Sequence, residues 1–176
     1  MLPQITAKCE TCDIGNPILR KKAKAVRRKE GVALSKVLRR ILLKYREITG
    51  AGRGLAAPQI GENKAVFVTF LNDGLQTYIN PQIIYRSKKT TYYRESCLSS
   101  NLLWADIKRP EAVTLQWMDE NGRKIKRRFT GLPGRVIQHE YDHLQGVLNL
   151  DRGEPGSIEF VQVDVKNQEL RGTRGK

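Results

Sequence analysis

Apolar residues at Leu34, Val37, Leu38, Ile41, Leu42, Tyr45 and Ile48 recur every three or four positions. That is the stripe of an amphipathic helix, ended by Gly50 and Gly52. Beyond these glycines the pattern shortens. Residues 65–70, 77–85, 90–95 and 112–118 are rich in β-branched and aromatic side chains and predict strands. Asn121-Gly122, between residues 115–118 and 124–129, predicts a tight hairpin whose two turn residues take positive φ. A second helix is predicted from near Pro133 to about Leu148, because Val136, Ile137, Tyr141, Leu144, Val147 and Leu148 keep helical spacing and proline suits a first turn. Glycines and a proline at 152–156 break the chain. Ile158 and Phe160, then Val161, Val163 and Val165, alternate as in a strand, with a phase slip that suggests a bulge. The tail from about 170 to 176 is basic and glycine-containing and predicts disorder. No repeat and no linker interrupts the chain, so 1–176 is expected to form one α+β domain with helices packed on antiparallel sheet.

Charge adds a class of partner. With 32 basic and 18 acidic residues the chain carries a net charge of +14, which draws it toward polyanions. The densest basic runs are 20–29 and 123–128; each alone reads as a solvated face. No window approaches the roughly 18 apolar residues of a membrane span, and the first residues hold no secretory-type apolar run. The expectation is a cytoplasmic protein with no membrane partner, an organellar setting being left open because a cleaved transit segment leaves no trace. Cys9, Cys12 and Cys97 are an odd number of cysteines without an export signal, which predicts reduced thiols. The Cys9/Cys12 pair is a lone C-x-x-C with neither a second pair nor a thioredoxin-like context, and reads as incidental.

The candidate chemistry lies on the second helix. His139-Glu140-Tyr141-Asp142-His143 is an H-E-x-x-H that projects two imidazoles from one helix face toward one ion, with Glu140 placed to handle a proton. These are the only two histidines in the chain, and an incidental pair at this interval is the bland alternative. Two imidazoles need a third ligand. A metzincin arrangement needs histidine where the chain has Asn149, so that class is excluded. Glu154, Glu159 and Glu169 lie in no obvious second helix. Cys97 is the stronger candidate, placed just after a strand in Glu95-Ser96-Cys97-Leu98-Ser99, although a lone cysteine is more often a small core residue. Residues 52–61, rich in glycine and alanine, suggest a loop of close backbone approach, with the Gln59 amide available to an oxyanion.

Three segments, Gly52-Arg53-Gly54-Leu55-Ala56-Ala57-Pro58-Gln59, Glu95-Ser96-Cys97-Leu98-Ser99 and Gln138-His139-Glu140-Tyr141-Asp142-His143, occur here in the order and at about the spacing of the G-x-G-x-A-A-x-Q, E-G-C-x-S and Q-H-E-x-D-H motifs. The chain thereby resembles the peptide deformylase family, from about residue 16 to residue 151. The resemblance implies antiparallel sheets around a central helix carrying the H-E-x-x-H, with Cys97, His139 and His143 as metal ligands and Glu140 as the acid/base. Gln59 and the backbone N–H of Leu98 would line the oxyanion hole, and Gly54 and Ser96 would meet substrate. It further implies one divalent ion, Fe²⁺ as the native one, with Zn²⁺, Ni²⁺ or Co²⁺ able to take its place. The expected reaction removes the formyl group from the N-terminal formyl-methionine of nascent polypeptides and releases formate.

Two departures bear on substrate range. Ser96 stands where the family has glycine, and Ser100-Asn101-Leu102 replaces the usual valine-proline-glycine. Both lie where the family pairs backbone with an extended peptide. The alternatives are a catalytically silent deformylase-like protein that binds RNA or the ribosome through its basic surface, and a metalloamidase for another short N-acyl group. Against the first, no stacked-aromatic motif for single strands is evident. An enzyme of nascent chains would gain from electrostatic contact with ribosomal RNA, weakening steeply with salt.

Overall fold

A computed structural model describes residues 11–100 and 103–160, and beyond them the backbone of two short strands at 162–164 and 169–171. In chain order its elements are α1 (Arg28–Thr49), β1 (Gly54–Ala56), β2 (Val66–Leu71), β3 (Gly74–Arg86), β4 (Thr90–Ser96), β5 (Leu103–Pro110), β6 (Ala112–Met118), β7 (Lys124–Thr130), α2 (Gly131–Leu144), β8 (Glu159–Phe160), β9 (Gln162–Asp164) and β10 (Glu169–Arg171). Five strands form one antiparallel sheet in the order β1-β2-β3-β6-β7, and three form a second, β4-β5-β8. The class is α+β.

The period-2 alternation of strand side chains divides the larger sheet into two faces. Leu55, Val66, Val68 and Ile79 point to one face and pack with Leu38, Ile41 and Leu42 of α1. Ala56, Phe67, Tyr78, Val113, Leu115, Trp117 and Phe129 point to the other and pack with Ile137 and Leu144 of α2. Phe67 stacks on Tyr78 at 4.5 Å between ring centroids, and Tyr78 leans on Trp117 at 5.0 Å. The helix with the H-E-x-x-H is thus pressed against the centre of the sheet by aromatic packing.

Several boundaries differ from expectation. Helix α1 begins six residues before Leu34 and is closed by Gly50 at φ 68°, whose N–H donates to the Arg46 carbonyl. Helix α2 stops at Leu144, short of Val147 and Leu148. Gly146 takes φ +74° there, and a side chain on it would lie 2.6 Å from the Arg20 carbonyl oxygen, so the chain turns where only glycine fits. The β6–β7 hairpin forms in register, with Trp117 opposite Ile125, but its turn is wider than a two-residue one. Asp119 and Arg123 close it through a 2.9 Å backbone bond, and Gly122 alone takes positive φ.

Two strands escaped the pattern altogether. Residues 54–56 read as loop yet pair with β2. Residues 103–110 carry Asp106, Lys108 and Arg109 and lack the composition of a strand, yet form the middle strand of the second sheet. At the C-terminal side, residues 170 and 171 pair with β9 rather than being disordered. Cys9, Val161, Val165 and 172–176 lie outside the described residues, as do Asn101 and Leu102. No helix among the described residues is long and apolar enough to cross a membrane.

Candidate metal centre and active site

Helix α2, strand β4 and the 3-10 turn Ala57–Ile60 converge behind the larger sheet. Cys97 follows the last residue of β4, where strand pairing of Ser96 with Trp104 holds it in place. One donor atom each from Cys97, His139 and His143 falls within 4.8 Å of the others. Cys97 Sγ lies 3.2 Å from His143 Nε2; sulfur and nitrogen on a tetrahedral ion are about 3.5 Å apart given bond lengths of about 2.3 and 2.0 Å. A thiolate and two imidazoles are the donor types that divalent zinc and iron accept. The residues fit a metal.

The charge state of Cys97 favours the same use. Burial works against the Cys97 thiolate, but the imidazoles of His143 and His139 outweigh it and hold the thiol well below its usual range. Thiolate is the form in which sulfur ligates metals. Burial would depress the imidazolium of His139, but the Cys97 sulfur and the Glu95 carboxylate raise it well above normal. His139 Nδ1 faces Glu95 Oε2 at 3.1 Å. A carboxylate at Nδ1 fixes the ring so that its other nitrogen points at the ligand site.

Glu95 is itself held from behind. Arg109 Nε and Nη2 donate to its two oxygens at 2.7 and 2.9 Å, and Arg135 Nη2 donates at 2.9 Å. Arg109 Nη1 donates onward to Asp142 Oδ2 at 2.6 Å, and Arg152 adds two bonds to the same carboxylate. Burial pushes the Glu95 carboxyl up, but the bonds from His139 and Arg109 overcome it and hold it well below the usual range. None of these four supports was anticipated. Asp142 sits inside the H-E-x-x-H segment itself, and Arg109 shares the inward parity of Ala105 and Ile107 on β5. That parity is the one signal that could have revealed it, once β5 was known to be a strand.

Glu140 is 4% exposed, and its Oε2 has no hydrogen-bond partner among the described residues. Burial is the main cause that pushes its carboxyl up to about 7; the His139 and His143 rings oppose this and the Cys97 thiolate assists it. Gly54 lies directly against it: a side chain there would come 2.4 Å from Glu140 Oε1. The glycine expected to meet substrate therefore makes room for the carboxylate. Gln59 is buried, its Oε1 accepting from the Ala56 N–H at 2.8 Å while its Nε2 reaches toward Cys97 Sγ at 3.5 Å and Ser99 Oγ at 3.4 Å. Leu98 opens a 3-10 turn to Ser100 beside Cys97, and Ser96 is exposed at the end of β4. Cys12, by contrast, sits outside this cluster, its N–H on the Gln59 carbonyl at 2.7 Å.

Residues 9–157 match the family model for polypeptide deformylase. Among curated proteins, the peptide deformylase of Pseudothermotoga lettingae is 41% identical over 139 residues, 78% of either chain. Among solved structures, the peptide deformylase of Thermotoga maritima superposes with a TM-score of 0.75 at 34% identity, covering 82% of this chain and 97% of that one. A Synechococcus elongatus peptide deformylase solved in complex with actinonin gives a TM-score of 0.74 at 37% identity, over 83% of this chain and 79% of that one.

Proposed function

We propose, for a chain that belongs to the polypeptide deformylase family, that Cys97, His139 and His143 hold the catalytic ion and Glu140 moves the proton. The activity is hydrolysis of the N-terminal formyl group of formyl-methionine on nascent polypeptides, with release of formate. The clustering of three ligand atoms within 4.8 Å beside a buried carboxylate carries this reading. The native ion is Fe²⁺; the same donors accept Zn²⁺, Ni²⁺ or Co²⁺.

A divalent ion in this position supplies a Lewis acid that polarises a carbonyl and acidifies water. The remaining work falls to the chain. Glu140 takes a proton from the attacking water as a C–O bond forms at the formyl carbon. It returns that proton to the amine nitrogen as the C–N bond breaks, leaving formate and a free α-amine. Gln59 Nε2 and the Leu98 N–H donate to the oxyanion that develops in between; removing one such donor costs about 2.7–4 kcal/mol of transition-state stabilisation. Glu95 keeps the His139 ring in its ligating orientation, and Gly54 admits the Glu140 carboxylate. Ser96, exposed at the end of β4, lies where an extended peptide would pass.

The test is formate release from formyl-Met-Ala by protein prepared without oxygen, with metal content measured on the same samples. Glu140→Ala is expected to lose turnover and keep its metal, whereas Cys97→Ala loses the metal. Near-normal turnover in Glu140→Ala would falsify its role. The setting is cytoplasmic or organellar, where nascent formylated chains occur, and the net charge of +14 supports an electrostatic contact with ribosomal RNA that weakens as salt rises.

A further inference from the structure

Helix α1 covers only part of its face of the five-stranded sheet. Three rungs run across that face from β3 through β6 to β7: Ile79 opposite Met118 opposite Lys124, Gln82 opposite Gln116 opposite Lys126, and Tyr85 opposite Thr114 opposite Arg128. Ile79 is fully buried and Met118 packs against the α1 cluster, so the first rung lies under the helix. The second and third lie beyond it. Gln82, Lys126 and Arg128 are exposed, and the Tyr85 ring is 48% exposed beneath the Arg128 guanidinium, which sits 5.5 Å from its centroid.

The charge on this half-face is of one sign. Among the described residues, Lys124, Lys126 and Arg128 make no ion pair, while the carboxylates at its margins are already engaged, Glu111 with Lys89, Asp119 with Arg123 and Glu120 with Arg39. Alternate residues on a strand repeat about every 7 Å, the order of spacing of successive phosphates in an extended single strand. A sheet edge guarded against aggregation also carries lysines, but that role needs charge on β7 alone. It does not need an open tyrosine and two amides, Gln82 and Gln116, two and one strands further in.

We infer that this uncovered half-face binds single-stranded RNA, with Lys124, Lys126 and Arg128 along the phosphates, Tyr85 stacking a base and Gln82 and Gln116 facing base edges. An exposed aromatic ring beside a cationic row on an open sheet is the arrangement that stacks bases without strict sequence preference. The inference gives a place and a chemistry to the polyanion contact proposed above, on which it rests.

The experiment is anisotropy of a labelled oligouridylate titrated with the full chain across a salt series, with formate release measured on every preparation. Each phosphate neutralised contributes about 0.7 to the slope of log K against log salt. Lys126→Gln with Arg128→Gln is therefore expected to lower the slope by about 1.4, and Tyr85→Ala to weaken binding on the order of ten-fold at unchanged slope. Formate release should be unchanged in both. Lys21→Gln with Lys22→Gln, exposed residues next to Gly146 at the end of α2, serves as the charge-matched control. An equal loss in this control, or wild-type binding by the sheet variants, overturns the location and leaves the general polyanion contact standing. Equal affinity for polyglutamate, lost in the same variants, overturns RNA as the ligand. No binding by a wild type that still releases formate overturns this inference and the ribosomal contact together, but not the deformylase reading.

Discussion

The two helices lie on opposite faces of the same sheet and are buried by different chemistry. Helix α1 turns Leu38, Ile41 and Leu42 inward and leaves Lys29, Lys36 and Glu47 in water. Helix α2 is buried along most of its length, and Arg135, Gln138, Glu140, Asp142 and His143 are all among its buried residues. Apolar burial is non-directional and tolerates repacking. A buried polar network is stable only when every member keeps its partner, because each orphaned charge bears its full desolvation cost. The first helix can therefore lose a methyl group and remain a helix on a sheet, whereas the polar side of the second leans on Arg109 of β5, which joins Glu95 to Asp142.

The difference between the two faces is greatest at Arg109, whose side chain is 3% exposed between Glu95 and Asp142. Arg109→Ala is expected to destabilise the fold by about 3–5 kcal/mol, the cost of leaving buried charge uncompensated, and to weaken metal binding as well; chemical denaturation and metal titration read the two effects. Leu42→Ala, on the other side, should cost about 2–5 kcal/mol through its cavity while leaving metal affinity as it was. If Leu42→Ala disturbs the metal as much as Arg109→Ala does, the two faces are not independent.

Glu95→Gln probes the polar side alone. The amide keeps the shape but loses the charge facing His139, and losing such an outer partner typically weakens metal binding about 10–100-fold. Equilibrium competition with a chelator measures it, and an unchanged affinity would remove Glu95 from the site. The smallest effect is set by pH at Tyr78, the buried ring between sheet and α2. Burial pushes its hydroxyl up to about 12, above an unfolded value near 10. A raised folded pKa contributes stability that is fully present below about pH 10 and lost as pH climbs toward 12. Tyr78→Phe should abolish that part of the alkaline decline, so the difference between the two stability curves should change across this window and be flat below it.

Elements fixed by neighbours in the chain could be read from the sequence, and those fixed by distant partners could not. The α1 stripe, strands β2, β3, β4, β6 and β7, and the hairpin at Gly122 could be read from period and turn chemistry, because each is dictated by residues adjacent in the chain. Strand β5 could not be read, since its inward row ends in Arg109, a residue that belongs inside only if carboxylates from β4 and α2 await it. The end of α2 was overestimated for a related reason: Val147 and Leu148 continue the helical spacing, but Gly146 passes so close to Arg20 that the chain must turn.

By itself, the sequence determined the α+β class, the helix with two imidazoles one turn apart, and three motif segments whose residue types suit a metal and a proton carrier. Those are properties of local spacing, and local spacing is written in the chain. Folding alone set Glu95, Arg109 and Asp142 behind His139, let Gly54 admit the Glu140 carboxylate and, among the described residues, left half a sheet face uncovered beside α1. Each of these joins residues distant in sequence, and whether a charge there is stabilised or stranded depends on partners that folding alone brings within reach.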